Sequence, residues 1–533
     1  MRITNSMITL HSQNNINTTK GLVDTYNDQM TSQKKISKPS DDPVVAIRSL
    51  RLRDSLNEVE QYTDKNIPDA ESWLEVTETS LSNMSEILND IYEACVNSAT
   101  GTLTTDDRNT LLKNLSACVE QLYAEGNSDY AGRTVFTGYK TNKTLTFETD
   151  TANASYEITQ KLDINALTSK NYYTNTLEVP KNWTDGTNGL DQGYPLENQM
   201  EQVTVDRIRL AYSKTDEGRT PEIKIPSHEV AADGTITETM TSITDATNGI
   251  SWYVDENGDQ QKDIRTISYS DWEEEGFAVQ DDAVYYIPES GELVFGSNVA
   301  QKLKTYANEW PDWSIEITYD KTGFTKGDVR PEMYFDCTDK TIAGSEVTYT
   351  REEQDIAYTI SANQDLKVNT QAGENGILST AIARDVQELM DAITAAQNAN
   401  DKVDQIKALK NNTEYSSEED QAILDQWLEA ANKEKTYLED NLKNLFSQGI
   451  TDFQNYKQVV DLAKTDVGSR DSRLELTKTR MTTHKSTIKT LIKDNEDREM
   501  SDILIDFKSA YTAYESALKA ASQANDMTLL DYL

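Results

Sequence analysis

Apolar residues recur at alternating steps of four and three near both ends of the chain. Ala70, Leu74, Thr77, Leu81, Met84, Leu88, Ile91, Cys95 and Ser98 form one such seam. This is the heptad stripe of a helix that packs on another helix. Pro68 suits a first helical turn, and Gly101 suits a C-terminal cap. A further helix is expected after Thr104. Asp106 and Asp107 lie in its first turn, where negative charge is favoured. It carries Leu111, Leu115, Cys118 and Leu122 and ends near Gly126. Residues 1–141 thus read as helix throughout.

The C-terminal part, 378–533, has the same pattern. One seam runs Leu424, Leu428, Ala431, Lys435, Leu438, Leu442, Leu445. A longer one runs Phe453, Tyr456, Val460, Ala463, Val467, Arg470, Leu474, Thr477, Met481, His484, Ile488, Leu491, a helix of about 58 Å. His484 is read as a packed core histidine. The register breaks across the polar run 493–499, as at a hinge or domain boundary. It restarts as Met500, Leu504, Phe507, Tyr511, Tyr514, Leu518, Ala521, Asn525.

Between these zones, 142–377 changes period. Short β-branched and aromatic runs stand between turn signals, as in 284–296, 314–320, 346–351 and 357–362. Trp183, Trp252, Trp272, Trp310 and Trp313 fall here. The segment Asp255–Asp259 resembles the start of a calcium loop, but Thr266 stands where the bidentate acid belongs. A hairpin turn is the better reading.

Charge narrows the function. Of 533 residues, 51 are Lys or Arg and 91 Asp or Glu, a net charge of −40. Nucleic-acid binding through a basic face is excluded. Mean hydropathy is −0.68, and no window approaches a membrane span. The N-terminus lacks the apolar core of a signal peptide. Cys95, Cys118 and Cys337 offer no paired motif. Cys95 and Cys118 lie on helical seams and read as small core residues. No Gly-rich phosphate loop, nucleophile elbow or close histidine pair suggests an enzyme, and no metal or cofactor is expected.

The fold class is α+β: an elongated helical coiled-coil bundle formed by both chain ends, with an inserted β-rich middle domain. Neither helical zone buries its stripe alone, so the two pack together and the middle projects as a separate knob. Residues 1–42 should pair with 495–533, and 43–141 with 378–494, while 142–377 forms the insertion. The terminal stripes are thin: Ile3, Met7, Leu10, Ile16, Val23 and Tyr26 at one end, Leu504, Phe507, Tyr511, Tyr514 and Leu518 at the other. Marginal helices of this kind suit ordering on assembly with neighbouring subunits.

Several motifs resemble the flagellin superfamily, and within it the hook–filament junction branch. They are the opening Met-Arg-Ile-Thr; Lys35-Ile-Ser-Lys-Pro-Ser-Asp41-Asp42-Pro43; Gly132-Arg133-Thr-Val-Phe136-Thr-Gly138; and Ile356-Ala-Tyr358 through Val368-Asn-Thr370. To these are added Val467-Gly468-Ser-Arg470-Asp-Ser-Arg473-Leu474-Glu475 and the ending 527–533. The resemblance covers about 1–147 and 355–533. Asp42 fits an N-cap and Pro43 the first helical position. Gln33 stands where the family has Gly, so the segment there is expected to be helical. Residues 395–445 look like an expansion of the C-terminal helices.

The resemblance implies a non-enzymatic structural protein of the bacterial flagellum, exported unfolded through the flagellar export machinery, with an export chaperone. It implies self-assembly into a ring between the hook-side junction protein and flagellin, outside the cell. The terminal helices would line the inner tube and the middle would face outward. The nearest alternative is flagellin itself. A surface-binding role for the middle domain is a more distant one.

Overall fold

In the computed structural model the described residues exclude 1–4, 101–103, 177–178, 180–200, 231–235, 246–249, 256, 311–312, 353, 374–375 and 527–533. Ile3, Gly101, Trp183 and the closing motif therefore lie outside the described residues. The α-helices are α1 (Asn5–Ser32), α2 (Pro43–Gln61), α3 (Ile67–Thr100), α4 (Thr105–Glu125), α5 (Tyr269–Glu274), α6 (Ser297–Glu309), α7 (Pro331–Tyr334), α8 (Thr380–Lys410), α9 (Glu418–Glu496) and α10 (Met500–Asp526). Strands fill the middle. The chain forms two compact units: 1–72 with 357–367 and 470–533, and 73–356 with 368–469.

The second unit holds the strand-rich middle together with much of the helical seam. From Leu74 to Ser98, every predicted seam position of α3 is buried. Its partner is α9: Ser85 donates to Asp461 at 2.7 Å, and Lys464 donates to Ser82 at 3.0 Å. Gly449 permits the close approach, since a Cβ there would stand 3.2 Å from the Cys95 sulfur. Burial pushes the Cys95 thiol up to about 12, as expected of an inert core residue. Thr104 and Asp107 form a reciprocal capping box at the start of α4. Arg108 then reaches the Ala396 carbonyl of α8 at 3.1 Å.

Two larger sheets make up most of the middle. The strand order of the first is 265–266, 284–287, 292–295, 202–209, 167–173, and that of the second is 347–349, 336–339, 151–162, 315–324, 222–230, 236–242. The four runs singled out by period all contain strands. Within 315–324 the buried side chains alternate, Ile315, Ile317, Tyr319, as a strand with one core face requires. The first sheet packs Tyr172, Trp272 and Phe277 into an aromatic cluster with centroids 4.8–5.1 Å apart. Asp255 accepts from Asn257 and Asp259 in a turn joining strands 253–254 and 260–261, the predicted hairpin. The strand-rich middle falls in the same unit as α4 and α8. Arg207 Nη2 of strand 202–209 meets Glu388 of α8 at 2.6 Å, and Arg209 Nη1 meets the same carboxylate at 3.1 Å.

In the first unit, Pro68 stands in the first turn of α3, as expected, but α3 continues directly from α2. A π-turn over Tyr62–Asn66 joins α2 to α3, with Ile67 N–H donating to Tyr62 O. Proline lacks a donor and clashes with the carbonyl four residues back, and the wider turn is how the helix passes it.

Four seam positions differ from expectation. His484 and Leu491 are exposed, not packed. The buried stripe steps from Met481 to Ile488 past the half-buried Lys485, whose ammonium pairs with Asp64 at 2.6 Å. Nearer the start of α9, Trp427 and Phe446 are buried where the leucine seam named Leu428 and Leu445. The bulkier ring one position away takes the core site, as drift between 3.5 and 3.6 residues per turn allows.

Gln33 is not helical. α1 ends at Ser32, and Gln33 adopts φ +56°, the left-handed conformation that the family's Gly takes without a Cβ penalty.

Candidate assembly site

The first unit is built on the α1–α10 pair. Ile503 and Ala510 of α10 are buried. Phe507, Tyr514 and Ala517 are half-buried on the same face, and on α1 Ile16, Val23 and Tyr26 are half-buried. These positions repeat every three or four residues, so each helix has one stripe against the other.

The stripe named from the sequence therefore divides. Ile16, Val23, Tyr26, Phe507 and Tyr514 serve the pairing within the unit. Met7, Leu10, Leu504, Tyr511 and Leu518 are exposed, Leu10 at 61% and Leu504 at 53%. Leu22 and Ile505 join them, as do Val44, Ile47 and Leu50 on the outer face of α2 and Leu476 at 75% on α9. Most large exposed apolar side chains among the described residues belong to this smaller unit. An apolar surface of this kind marks an interaction site. Val44, Ile47 and Leu50 were legible as a three-step apolar run, but sequence reasoning followed the seams instead.

The polar run after α9 is a fastening. Lys35 N–H donates to Glu496 O at 2.6 Å, and Arg498 N–H donates to Gln33 O at 3.0 Å. The Glu496 carboxylate, nearly out of water, accepts Arg53 Nε at 2.9 Å and Nη2 at 2.8 Å. Ser49 Oγ and the Lys34 ammonium complete its shell. The hydrogen bonds from Arg53 hold its pKa down at about 2 against the opposing effect of burial. One side chain thus ties α2, the loop after α1 and the α9–α10 junction together. Sequence reasoning saw the break in register but not this shell, because its members are far apart in the chain.

The motif residues fall at structural corners. Asp42 caps α2 by accepting from Val44 and Val45, with Pro43 at the first turn, and Asp41 accepts from Ser37 and Lys38. Gly132 (φ +76°) and Gly138 (φ +62°) need a positive φ. The Arg133 guanidinium lies 5.2 Å from the Trp73 ring centroid, and Phe136 is buried. On α9, Leu474 is buried, Arg470 half-buried, and Arg473 and Glu475 exposed. Around Gly468 a Cβ would meet nothing within 4 Å.

Paired terminal helices with these corners define a class, and the two ends of the chain match family models for the ends of flagellin. Residues 3–141 match the bacterial flagellin N-terminal helical region and 453–533 the C-terminal helical region. Within that class it is similar to the flagellar hook-associated protein 3 of Escherichia coli K12, 32% identical over 117 residues, covering 22% of this chain and 37% of the relative. It is also similar to the flagellar hook-associated protein 3 of Salmonella typhimurium LT2, 30% identical over 142 residues, covering 26% of this chain and 44% of the relative. Each match thus spans under half of the relative's length. A solved structure of flagellar hook associated protein-3 from Legionella pneumophila superposes with a TM-score of 0.28 at 11% identity, covering 83% of this chain and 97% of that one. That score is too low to bear on fold or function.

No helix among the described residues is long and apolar enough to cross a membrane.

Proposed function

We propose that the chain is a hook–filament junction protein of the bacterial flagellum. It polymerises through its terminal helices into a short ring, with the hook-side junction protein on one side and flagellin on the other. The observation that carries this reading is the exposed apolar row on α1 and α10, Met7, Leu10, Leu504, Tyr511 and Leu518, in a flagellin-type pair already packed on its other face. A second copy would bury that row, and each side chain of this size contributes roughly 1.5–3 kcal/mol when it leaves water. The names of the two curated relatives favour a junction role over that of flagellin. The work is structural, without catalysis. The chain leaves the cell unfolded through the flagellar export machinery, with a chaperone, and the high negative charge favours solubility before assembly. Residues 1–42 with 495–533 form the polymerising core, 43–141 with 378–494 the tube wall, and 142–377 the outward surface.

Deletion of the gene tests this. Cells without the chain should build hooks, shed unpolymerised flagellin into the medium and stop swimming, and the full chain should restore filaments. Deleted cells that still grow normal filaments would refute a junction role. A chain recovered as the bulk protein of sheared filaments would make it flagellin.

A further inference from the structure

A cleft of about 820 Å³ lies in the second unit, between strands 167–173 and 202–209 on one side and α8 and α9 on the other. Its size is that of a small-molecule site. The floor is charged but balanced. Lys170, Arg207 and Arg209 face Asp385, Glu388 and Asp452, three cations against three acids. Arg207 and Arg209 are already committed to Glu388, Arg209 also to Asp385, and Arg207 and Lys170 to the buried Glu292. Tyr456 donates to Asp385 as well, at 2.8 Å. With each sign offset by the other, the floor gives an ionic ligand little net attraction.

The walls are different. Asn441, Asn444 and Gln448 follow one another along one face of α9, opposite Thr168, Ser169 and Asn171 of the strand. The side chains of Asn441, Asn444 and Gln448 make no hydrogen bond among the described residues. Each amide offers two donors and an acceptor from the same planar group. Asp452, half-buried beside Asp385 and Arg209, adds an acceptor; burial and then the Asp385 charge raise its pKa. Leu389 and Leu445 also line the cleft, and Phe453, its single aromatic residue, is fully buried.

We propose that this cleft binds a neutral saccharide. Uncommitted amides in a row match the alternating donors and acceptors of vicinal hydroxyls. The paired charges of the floor disfavour ionic ligands, and no exposed aromatic ring lines the cleft to stack a flat aromatic one. The site is independent of the terminal helices, so its failure would leave the junction role untouched.

The test is a titration of the full-length chain with chitotriose and with maltotriose, and with trigalacturonate as a charged control, followed by saturation-transfer NMR. Saturable binding of at least one is expected, little changed in about 1 M salt, where charges are screened beyond about 3 Å. Asn441→Ala with Gln448→Ala should weaken it roughly tenfold or more. Both substitutions sit at a polar surface, and a far-UV circular dichroism melt checks that the variant folds. Asn444→Ala, which removes the third uncommitted amide, should weaken binding by a second route. Absence of saturable transfer with both sugars would overturn the proposal. So would binding that survives both variants, or binding confined to trigalacturonate and lost in salt.

Discussion

The Glu496 carboxylate accepts two hydrogen bonds from the Arg53 guanidinium, from Nε at 2.9 Å and from Nη2 at 2.8 Å, across 443 residues of sequence. The pair is charge-assisted and two-pronged, the strong form of this interaction. It also sits where α9 gives way to α10, so the register of the terminal pair is set by a fixed contact.

Stability should follow the protonation of Glu496. Its pKa is lowered to about 2 from an ordinary 4.5. A depressed carboxylate contributes stability that is fully present above the unfolded value and is lost as pH falls through the folded one. Glu496→Gln should therefore cost roughly 1–3 kcal/mol at neutral pH. The gap from wild type should narrow as pH falls from about 4.5 towards about 2. Urea denaturation at pH 7 and at pH 3 measures it. A gap independent of pH would mean that the charge is not what holds the junction.

Neighbouring residues of α10 should behave oppositely. Ile503 is fully buried and Leu504 is 53% exposed. Ile503→Ser should destabilise the monomer by roughly 2–5 kcal/mol, as loss of a core aliphatic side chain does. Leu504→Ser should change monomer stability by less than about 0.5 kcal/mol while impairing polymerisation. Light scattering of purified chain beside its thermal melt separates the two effects. Equal destabilisation by both variants would contradict the division of the stripe into a paired and a free face.

In the second unit, Leu81 and Leu88 are fully buried on α3. Replacing either with Ala should cost roughly 2–5 kcal/mol. Leu476, 75% exposed, should tolerate the same change within about 0.5 kcal/mol in the monomer. Chemical denaturation of the three variants checks the ranking, and a costly Leu476→Ala would show a partner within the monomer.

Gln33→Gly should raise stability. At φ +56° a side-chain-bearing residue is disfavoured by roughly 1–2 kcal/mol. The added freedom of glycine in the unfolded chain takes back about 0.4–1 kcal/mol. The expected net gain is about 0.5 kcal/mol. A melt that falls instead would mean that the Gln33 side chain contributes contacts of its own.

Much of this architecture was written in local pattern. The α3 seam from Ala70 to Ser98, the Asp42 cap and the hairpin at Asp255 depend on neighbours within a turn or two, and the sequence displays those. What stayed hidden depends on residues far apart. The Glu496 shell draws on Lys34, Ser49 and Arg53. The displacement of His484 from its seam depends on Lys485 finding Asp64, 421 residues away. The choice of Trp427 over Leu428 was settled by volume in a shared core, which periodicity does not encode. Among the assembly candidates, the apolar type of Tyr26 and Leu504 was plain, but which face each presents was not. A one-residue offset in phase decides it.

The central claim is position in the flagellum, and immunogold electron microscopy of intact flagella tests it most directly. Antibody against residues 142–377, the segment proposed to face outward, should label a narrow band at the boundary between hook and filament. Label distributed along the filament would contradict the junction role and make the chain a filament subunit.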